Sequence, residues 1–136
     1  MYRHISKVRV RYGETDQMGY CYYGNYAQYY EVGRVEALRD LGFSYKSLEE
    51  SGIMLPVLEY SIKYLKPAYY DDEITIKTMI KEVPGARIRF EYELSNEKGE
   101  LINVGTVILV FVLKETMRPC KAPRELIEHV QKCIEA

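Results

Sequence analysis

The chain reads as an α+β protein in which one long helix faces a large antiparallel sheet. Three observations carry this. Apolar residues recur at helical spacing between Asn25 and Gly42. Segments on either side of that stretch alternate apolar and polar residues with a period of two, the pattern of half-buried strands. The later alternating segments are joined by short turns, so neighbouring strands should run antiparallel. The order is strand, long helix, four strands, tail helix.

Each element has its own grounds. Lys7 to Tyr12 alternates Val8 and Val10 with basic residues and reads as the first strand. Gly13 to Gly24 is a loop with three glycines. From Asn25 onward, Tyr26, Tyr29, Tyr30, Gly33, Ala37 and Leu41 fall on one helical face, with Asn25 as N-cap and Gly42 as stop. Gly33 costs about 1 kcal/mol of helix propensity relative to Ala. In the middle of the apolar face it lets the helix press close against a sheet. A short second helix covers Tyr45 to Ser51 and ends at Gly52.

Leu55 to Leu65 places Leu58, Tyr60, Ile62 and Tyr64 on one strand face. Glu73 to Val83 alternates Ile74, Ile76, Thr78 and Ile80 with Lys77 and Lys81, and Pro84-Gly85 then breaks the chain. In Arg87 to Ser95, Ile88, Phe90, Tyr92 and Leu94 face one way and the charged residues the other. Asn96 to Gly99 has the composition of a hairpin turn. Glu100 to Leu113 is the longest strand and becomes apolar on both faces, as expected of a central strand. Leu126, Ile127, Val130 and Ile134 make the tail from Pro123 to Ile134 an amphipathic helix.

With 136 residues, 47% of them hydrophobic, the chain fits one domain over residues 1–136 with ample core. Nineteen basic residues against 20 acidic ones leave a net charge of −1, which argues against a dedicated nucleic-acid binder. Cys21, Cys120 and Cys133 form neither a C-x-x-C pair nor a zinc-like cluster, and no secretory leader is visible, which points to a reducing cytoplasm. The longest apolar run, Val107 to Leu113, falls far short of the roughly 18 residues a membrane span needs. No membrane partner is therefore expected. Fourteen tyrosines against three phenylalanines and no tryptophan suit interfaces and half-wet pockets, hence an oligomer or a ligand cleft.

The absences narrow the chemistry. No G-x-S-x-G elbow, no G-x-G-x-x-G, no Walker loop and no cluster with metal-ligand spacing occurs. Catalysis, with no metal and no cofactor expected, must rest on carboxylates, backbone dipoles or a thiol. One loop qualifies: Glu14-Thr15-Asp16-Gln17-Met18-Gly19-Tyr20-Cys21-Tyr22-Tyr23-Gly24-Asn25-Tyr26. It places two acids just before a helix start, among aromatic residues that exclude water. Unpaired N–H groups at a helix start polarise a carbonyl and hold the developing oxyanion. A nearby carboxylate attacks that carbonyl or deprotonates a water. A thioester suits the arrangement, because a thiol leaving group with a pKa near ~8.5 needs little acid help.

The loop and its continuation resemble the 4-hydroxybenzoyl-CoA thioesterase type of hotdog protein. The matching pieces are Glu14 to Gly19, Tyr23 to Tyr26, Glu31 with Arg34, Gly52 to Val57, Tyr64 to Ala68, Tyr70 to Glu73 and Gly85 to Phe90. They occur in the order the strand reading requires, from about Val8 to Pro119. The resemblance implies a hotdog fold: an antiparallel five-stranded sheet wrapped around one long central helix, with a C-terminal helix. It implies acyl-CoA thioester hydrolysis, with Asp16 as nucleophile or general base and the Tyr23 backbone amide polarising the thioester carbonyl. Many relatives carry histidine near position 23, where this chain has Tyr, so the match there is to the amide alone. The resemblance also implies a homodimer or homotetramer with sites at subunit interfaces, and CoA on basic surface partly from a neighbouring subunit.

Other site residues follow. Tyr22, Gly24, Asn25 and Tyr26 are assigned to substrate binding, with Tyr20, Tyr29 and Tyr30 either lining an acyl pocket or belonging to the core. Arg87, Arg89, Arg118 and Lys121 are assigned to CoA phosphates, which suit the planar fork of arginine. Glu14 reads as a structural or orienting acid paired with a nearby basic residue. Glu31 and Arg34 read as an i,i+3 pair. Cys21 is the rival nucleophile in the same loop. Alternative functions are an acyl-acyl-carrier-protein thioesterase, a hotdog dehydratase or hydratase, whose usual site histidine neither His4 nor His129 is placed to supply, and a non-catalytic acyl-CoA-binding module.

Overall fold

The computed structural model describes residues 1–135. Five strands build one sheet in the order β1-β4-β5-β6-β3, every neighbouring pair antiparallel. They are β1 (Tyr2–Arg9), β3 (Val57–Tyr64), β4 (Glu73–Ile80), β5 (Arg87–Ser95) and β6 (Leu101–Val110). Two short strands, β2 (Ile53–Met54) and β7 (Val112–Leu113), pair with each other. The helices are α1 (Tyr26–Asp40), α2 (Tyr45–Glu50) and α3 (Arg124–Glu135). This is the expected α+β hotdog arrangement. Its central helix spans only fifteen residues, shorter than a long helix would be.

The first and second strands of the large sheet in chain order, β1 and β3, sit at its opposite edges. The segment joining them must therefore cross the sheet, and it crosses as α1. The expected helical face is the buried one: Tyr26, Tyr29, Tyr30, Gly33, Ala37 and Leu41 all point into the core. They meet Ile74, Ile76, Ile88, Phe90, Tyr92 and Leu94 from alternate positions of β4 and β5. Gly33 acts as its position suggests. A Cβ there would lie 2.5 Å from Thr78 Oγ1 and 2.8 Å from Ile76 Cγ2. Gly105 on β6 leaves a second notch, filled by the ring of Tyr30. That ring lies flat on Tyr92, with centroids 4.2 Å apart and planes 6° from parallel.

Several expectations need correction. β1 starts at Tyr2, five residues before the expected start, and ends at Arg9, three before the expected end. Its inward positions include the polar His4 and Ser6, which hide the pattern. On β3, the shared face of Leu58, Tyr60 and Tyr64 is 47%, 39% and 49% exposed at those residues. β3 is an edge strand, so one side has no neighbour to cover it. The segment expected as one strand to Leu113 breaks at Phe111 into β6 and β7. The middle strand is β5, although β6 does have a neighbour on each side. Asn25 is no capping residue in the chemical sense, because its side chain makes no cap hydrogen bond to the helix. Ser44 does cap α2: its Oγ accepts from Ser47 N–H at 3.0 Å, and Ser47 Oγ accepts from Ser44 N–H at 3.1 Å. Glu31 and Arg34 do pair, at 3.9 Å, but buried Arg34 also donates through Nε to the Tyr45 hydroxyl at 2.9 Å and ties α1 to α2.

Replacing Gly33 with Ala tests the helix–sheet contact. Overpacking costs of about 1–3 kcal/mol outweigh the ~1 kcal/mol gain in helix propensity. A net loss of up to about 2 kcal/mol should appear as a lower urea midpoint with an unchanged slope. A midpoint at or above that of the parent would mean the contact is not as tight as described.

Candidate active site

The loop between β1 and α1 is held at both ends. Val10 N–H donates to Asp72 O and Asp71 N–H to Val10 O, each at 2.9 Å. Tyr12–Glu14 is a single 3-10 turn. Thr15 and Cys21 then pair across an isolated antiparallel bridge, which makes residues 16–20 the tip of a small hairpin. Asp16 N–H donates to Tyr20 O and Gly19 N–H to Asp16 O, both at 3.0 Å. Gly19 adopts φ +86°, a left-handed conformation that residues with a Cβ resist. Within this turn Asp16 Oδ1 accepts the Met18 N–H at 2.8 Å, an Asx turn that fixes the orientation of the carboxylate. One carboxylate oxygen is thereby occupied, and the other is the one available for chemistry.

Helix α1 is approached through a 3-10 turn, Tyr23–Asn25, entered from extended backbone at Tyr22. The first N–H groups of such a run find no carbonyl inside it. Here they belong to Tyr23 and Gly24, at the positive end of the helix dipole. A cavity of about 430 Å³ opens between the Asp16 turn and the end of β3. Asp16, Tyr23 and Tyr26 line it together with Met18, Tyr64 and Lys66. Four tyrosines, Tyr20, Tyr23, Tyr26 and Tyr64, contribute to the walls, and burial first of all holds the Tyr26 phenol above its ordinary pKa, so it stays neutral.

Glu14 is buried beside this cavity. Its Oε1 accepts the Arg11 N–H at 2.8 Å and the Tyr29 hydroxyl at 2.9 Å, while Oε2 lies 3.3 Å from the Arg11 guanidinium. Burial alone would raise its pKa, but these donors outweigh burial and hold the carboxyl below its ordinary value. The pairing with a basic neighbour is the one expected. Cys21 is 2% exposed, and burial pushes its thiol up despite a contact to the Tyr29 hydroxyl at 3.7 Å. A thiol kept protonated is a poor nucleophile.

Of the assigned residues, Asp16, Tyr23 and Tyr26 come together. The Tyr22 ring packs against the Tyr23 ring at a 40° tilt with centroids 4.6 Å apart, and Gly24 lies under the Tyr22 ring. Asn25 Nδ2 donates to Glu14 O at 2.8 Å. These three flank the cavity and do not line it. Arg87 and Arg89 stand opposite Val110 and Ile108, whereas Tyr64 stands opposite Asn103. Seven strand positions separate the ends, roughly 23 Å at about 3.3 Å per residue. Arg118 and Lys121 lie near the arginine end, where Leu113 N–H donates to Arg118 O at 2.9 Å and Ala122 N–H to Gly85 O at 2.8 Å. Within one chain none of these four reaches the cavity. Neither His4 on β1 nor His129 on α3 lines it. Sequence reasoning gave Met18 and Lys66 no site role. The matched segment Tyr64 to Ala68 was the signal that the end of β3 belongs here. Among the described residues no group of His, Cys, Asp or Glu is arranged to hold a metal, and no helix is long and apolar enough to cross a membrane.

A five-stranded antiparallel sheet over a central helix is the hotdog arrangement, and the relatives that share it here are thioester hydrolases. The chain belongs to the Thioesterase-like superfamily, whose family model matches residues 10–130. It is 39% identical over 118 residues to YneP of Bacillus subtilis (strain 168), covering 85% of this chain and 86% of that protein. It is 34% identical over 120 residues to the acyl-CoA thioesterase YbgC of Haemophilus influenzae, covering 88% of each. Its structure resembles a DHNA-CoA thioesterase from Staphylococcus aureus with a TM-score of 0.93 at 35% identity, covering 98% of this chain and 91% of that one.

The lowered pKa of Glu14 sets a pH dependence. The stability it contributes is complete above the ordinary carboxylate value of 4.5 and is lost as pH falls through the lower native value. Urea midpoints of wild type and Glu14→Gln should therefore differ at pH 7 and converge as pH falls below 4.5. A gap that stays constant over that range would show that the Glu14 charge contributes nothing.

Proposed function

We propose that the chain hydrolyses an acyl-CoA thioester to free acid and CoA. Asp16 supplies the nucleophile or general base, and the Tyr23 amide polarises the thioester carbonyl. The observation that carries this reading is that the oriented Asp16 carboxylate and Tyr23, at the helix start, border one tyrosine-lined cavity. By the nucleophilic route, the Asp16 oxygen adds to the carbonyl carbon, CoA leaves as thiolate, and water hydrolyses the resulting anhydride. By the base route, Asp16 takes a proton from the water that attacks the same carbon. Both need the oxyanion held at the helix start, and neither needs a metal or cofactor. The acyl-CoA thioesterases among the relatives support CoA as carrier.

One chain is one hotdog unit, and the working enzyme is a homodimer or homotetramer. Edge strand β3 supports this, with Val57, Leu58, Tyr60 and Tyr64 exposed along a free backbone edge. Two copies pairing antiparallel along β3 would bring the basic end of one beside the cavity of the other. Arg87, Arg89, Arg118 and Lys121 would then meet the CoA phosphates of a site on the neighbouring copy. A reducing cytoplasm suits the free thiols of Cys21, Cys120 and Cys133.

A thiol-release assay over a panel of acyl-CoAs tests the chemistry. Asp16→Asn should lower kcat by about 10²–10⁴-fold, the range for removing a positioned acid or base. Wild-type turnover in that variant would end the assignment. For the assembly, Leu58→Glu should shift sedimentation toward monomer and reduce turnover together. A fully active monomer would refute an interfacial site.

A further inference from the structure

Glu14 stands two residues before Asp16, and nothing in the proposed chemistry uses it. Its connections nevertheless reach every part of the site. The side chain bonds Arg11 N–H on one side and the Tyr29 hydroxyl, on the buried face of α1, on the other. Its own carbonyl oxygen accepts two further donors, the Tyr22 N–H and Asn25 Nδ2, each at 2.8 Å. Tyr22 and Asn25 bracket Tyr23 and Gly24, the two residues whose amides open the helix. One residue thus ties the strand that leads to Asp16 to the backbone that presents the polarising amide, and anchors both to α1.

We infer that Glu14 is a positioning residue for thioester hydrolysis, working as a pair with Tyr29. The inference rests on the reading of Asp16 and the Tyr23 amide given above. Reacting groups must hold to within a few tenths of an ångström, and a misplacement of about 1 Å can cost about 100-fold in rate. The ionised carboxylate suits this task because it is acceptor-only and every neighbour it meets is a donor. A glutamine would turn its amide N–H groups toward the Tyr29 hydroxyl or the Arg11 guanidinium. The tie would loosen while the side chain kept its size. Neither Glu14 nor Tyr29 lines the cavity, so substrate contacts survive.

The test uses the full chain and whichever of acetyl-, hexanoyl- and benzoyl-CoA the wild type turns over fastest. Glu14→Gln, Tyr29→Phe, the double variant and Asp16→Asn are assayed at a temperature where circular dichroism shows each to be folded. Glu14→Gln and Tyr29→Phe should each lower kcat by about tenfold or more, with KM within about twofold of wild type. The double variant should be no slower than the worse single one, since both changes cut the same tie. Tyr29→Phe keeps its ring in the core and decides the matter if Glu14→Gln does not fold. If Asp16→Asn is inactive while the variants that fold keep kcat within twofold, Glu14 only stabilises the fold and the inference fails alone. If Asp16→Asn stays active, the reading of the site fails and takes this inference with it.

Discussion

Gly33 sets the bare backbone of α1 against Thr78, Ile76 and Tyr92, where any side chain would collide. One turn earlier, Tyr30 fills the notch at Gly105, and its hydroxyl donates to Asn103 Oδ1 at 2.6 Å in the buried core. A helix seated at two such points has its height above the sheet and its rotation fixed, because protein interiors yield little to small displacements. The start of α1 is therefore placed by contacts well inside the core. The amides at its first turn inherit that precision, as does the cavity between them and the end of β3.

The two acids of the loop are treated in opposite ways. Asp16 is half-buried, with one oxygen held by the Met18 amide. Glu14 is buried and surrounded by donors, which keeps it charged but gives it no access to a reactant. The 3-10 turn ending at Glu14 and the hairpin turn opening at Asp16 give the two acids different environments, Asp16 at the cavity and Glu14 against the helix. The same neighbourhood keeps the Cys21 thiol neutral. Of the loop's two acids, only Asp16 lines the cavity.

The helix was legible because its apolar spacing has one solution: six residues on a period near 3.6, with a glycine where the sheet comes closest. The loop's role was legible because acids, glycines and a helix start occur together within a few residues. What sequence hid was whatever depends on neighbours far along the chain. The alternation in Leu55 to Leu65 identifies a strand face, and only the strand order shows that β3 is an edge. His4 and Ser6 point inward from β1 despite their polarity, so the alternation there gave no sign of a strand. Asn25 has the composition of a cap, but Glu14's carbonyl, eleven residues earlier, captures its side chain. The basic residues chosen for phosphate are real surface charges, yet only the strand register shows how far they lie from the cavity of their own chain.

The stacked rings of Tyr60, Tyr30 and Tyr92 have a consequence at the other end of the pH scale. Burial holds all three phenols above their ordinary value of 10.0, and it does the same for Tyr2, Tyr26 and Tyr29. A group whose native pKa lies above its unfolded one favours the native state until pH passes the unfolded value, and that preference drains away as alkali rises further. Six phenols withholding their protons together give the fold an alkaline ceiling. Raising the pH beyond 10.0 therefore works against the fold through all six phenols, and tyrosinate absorbance would follow their release of protons.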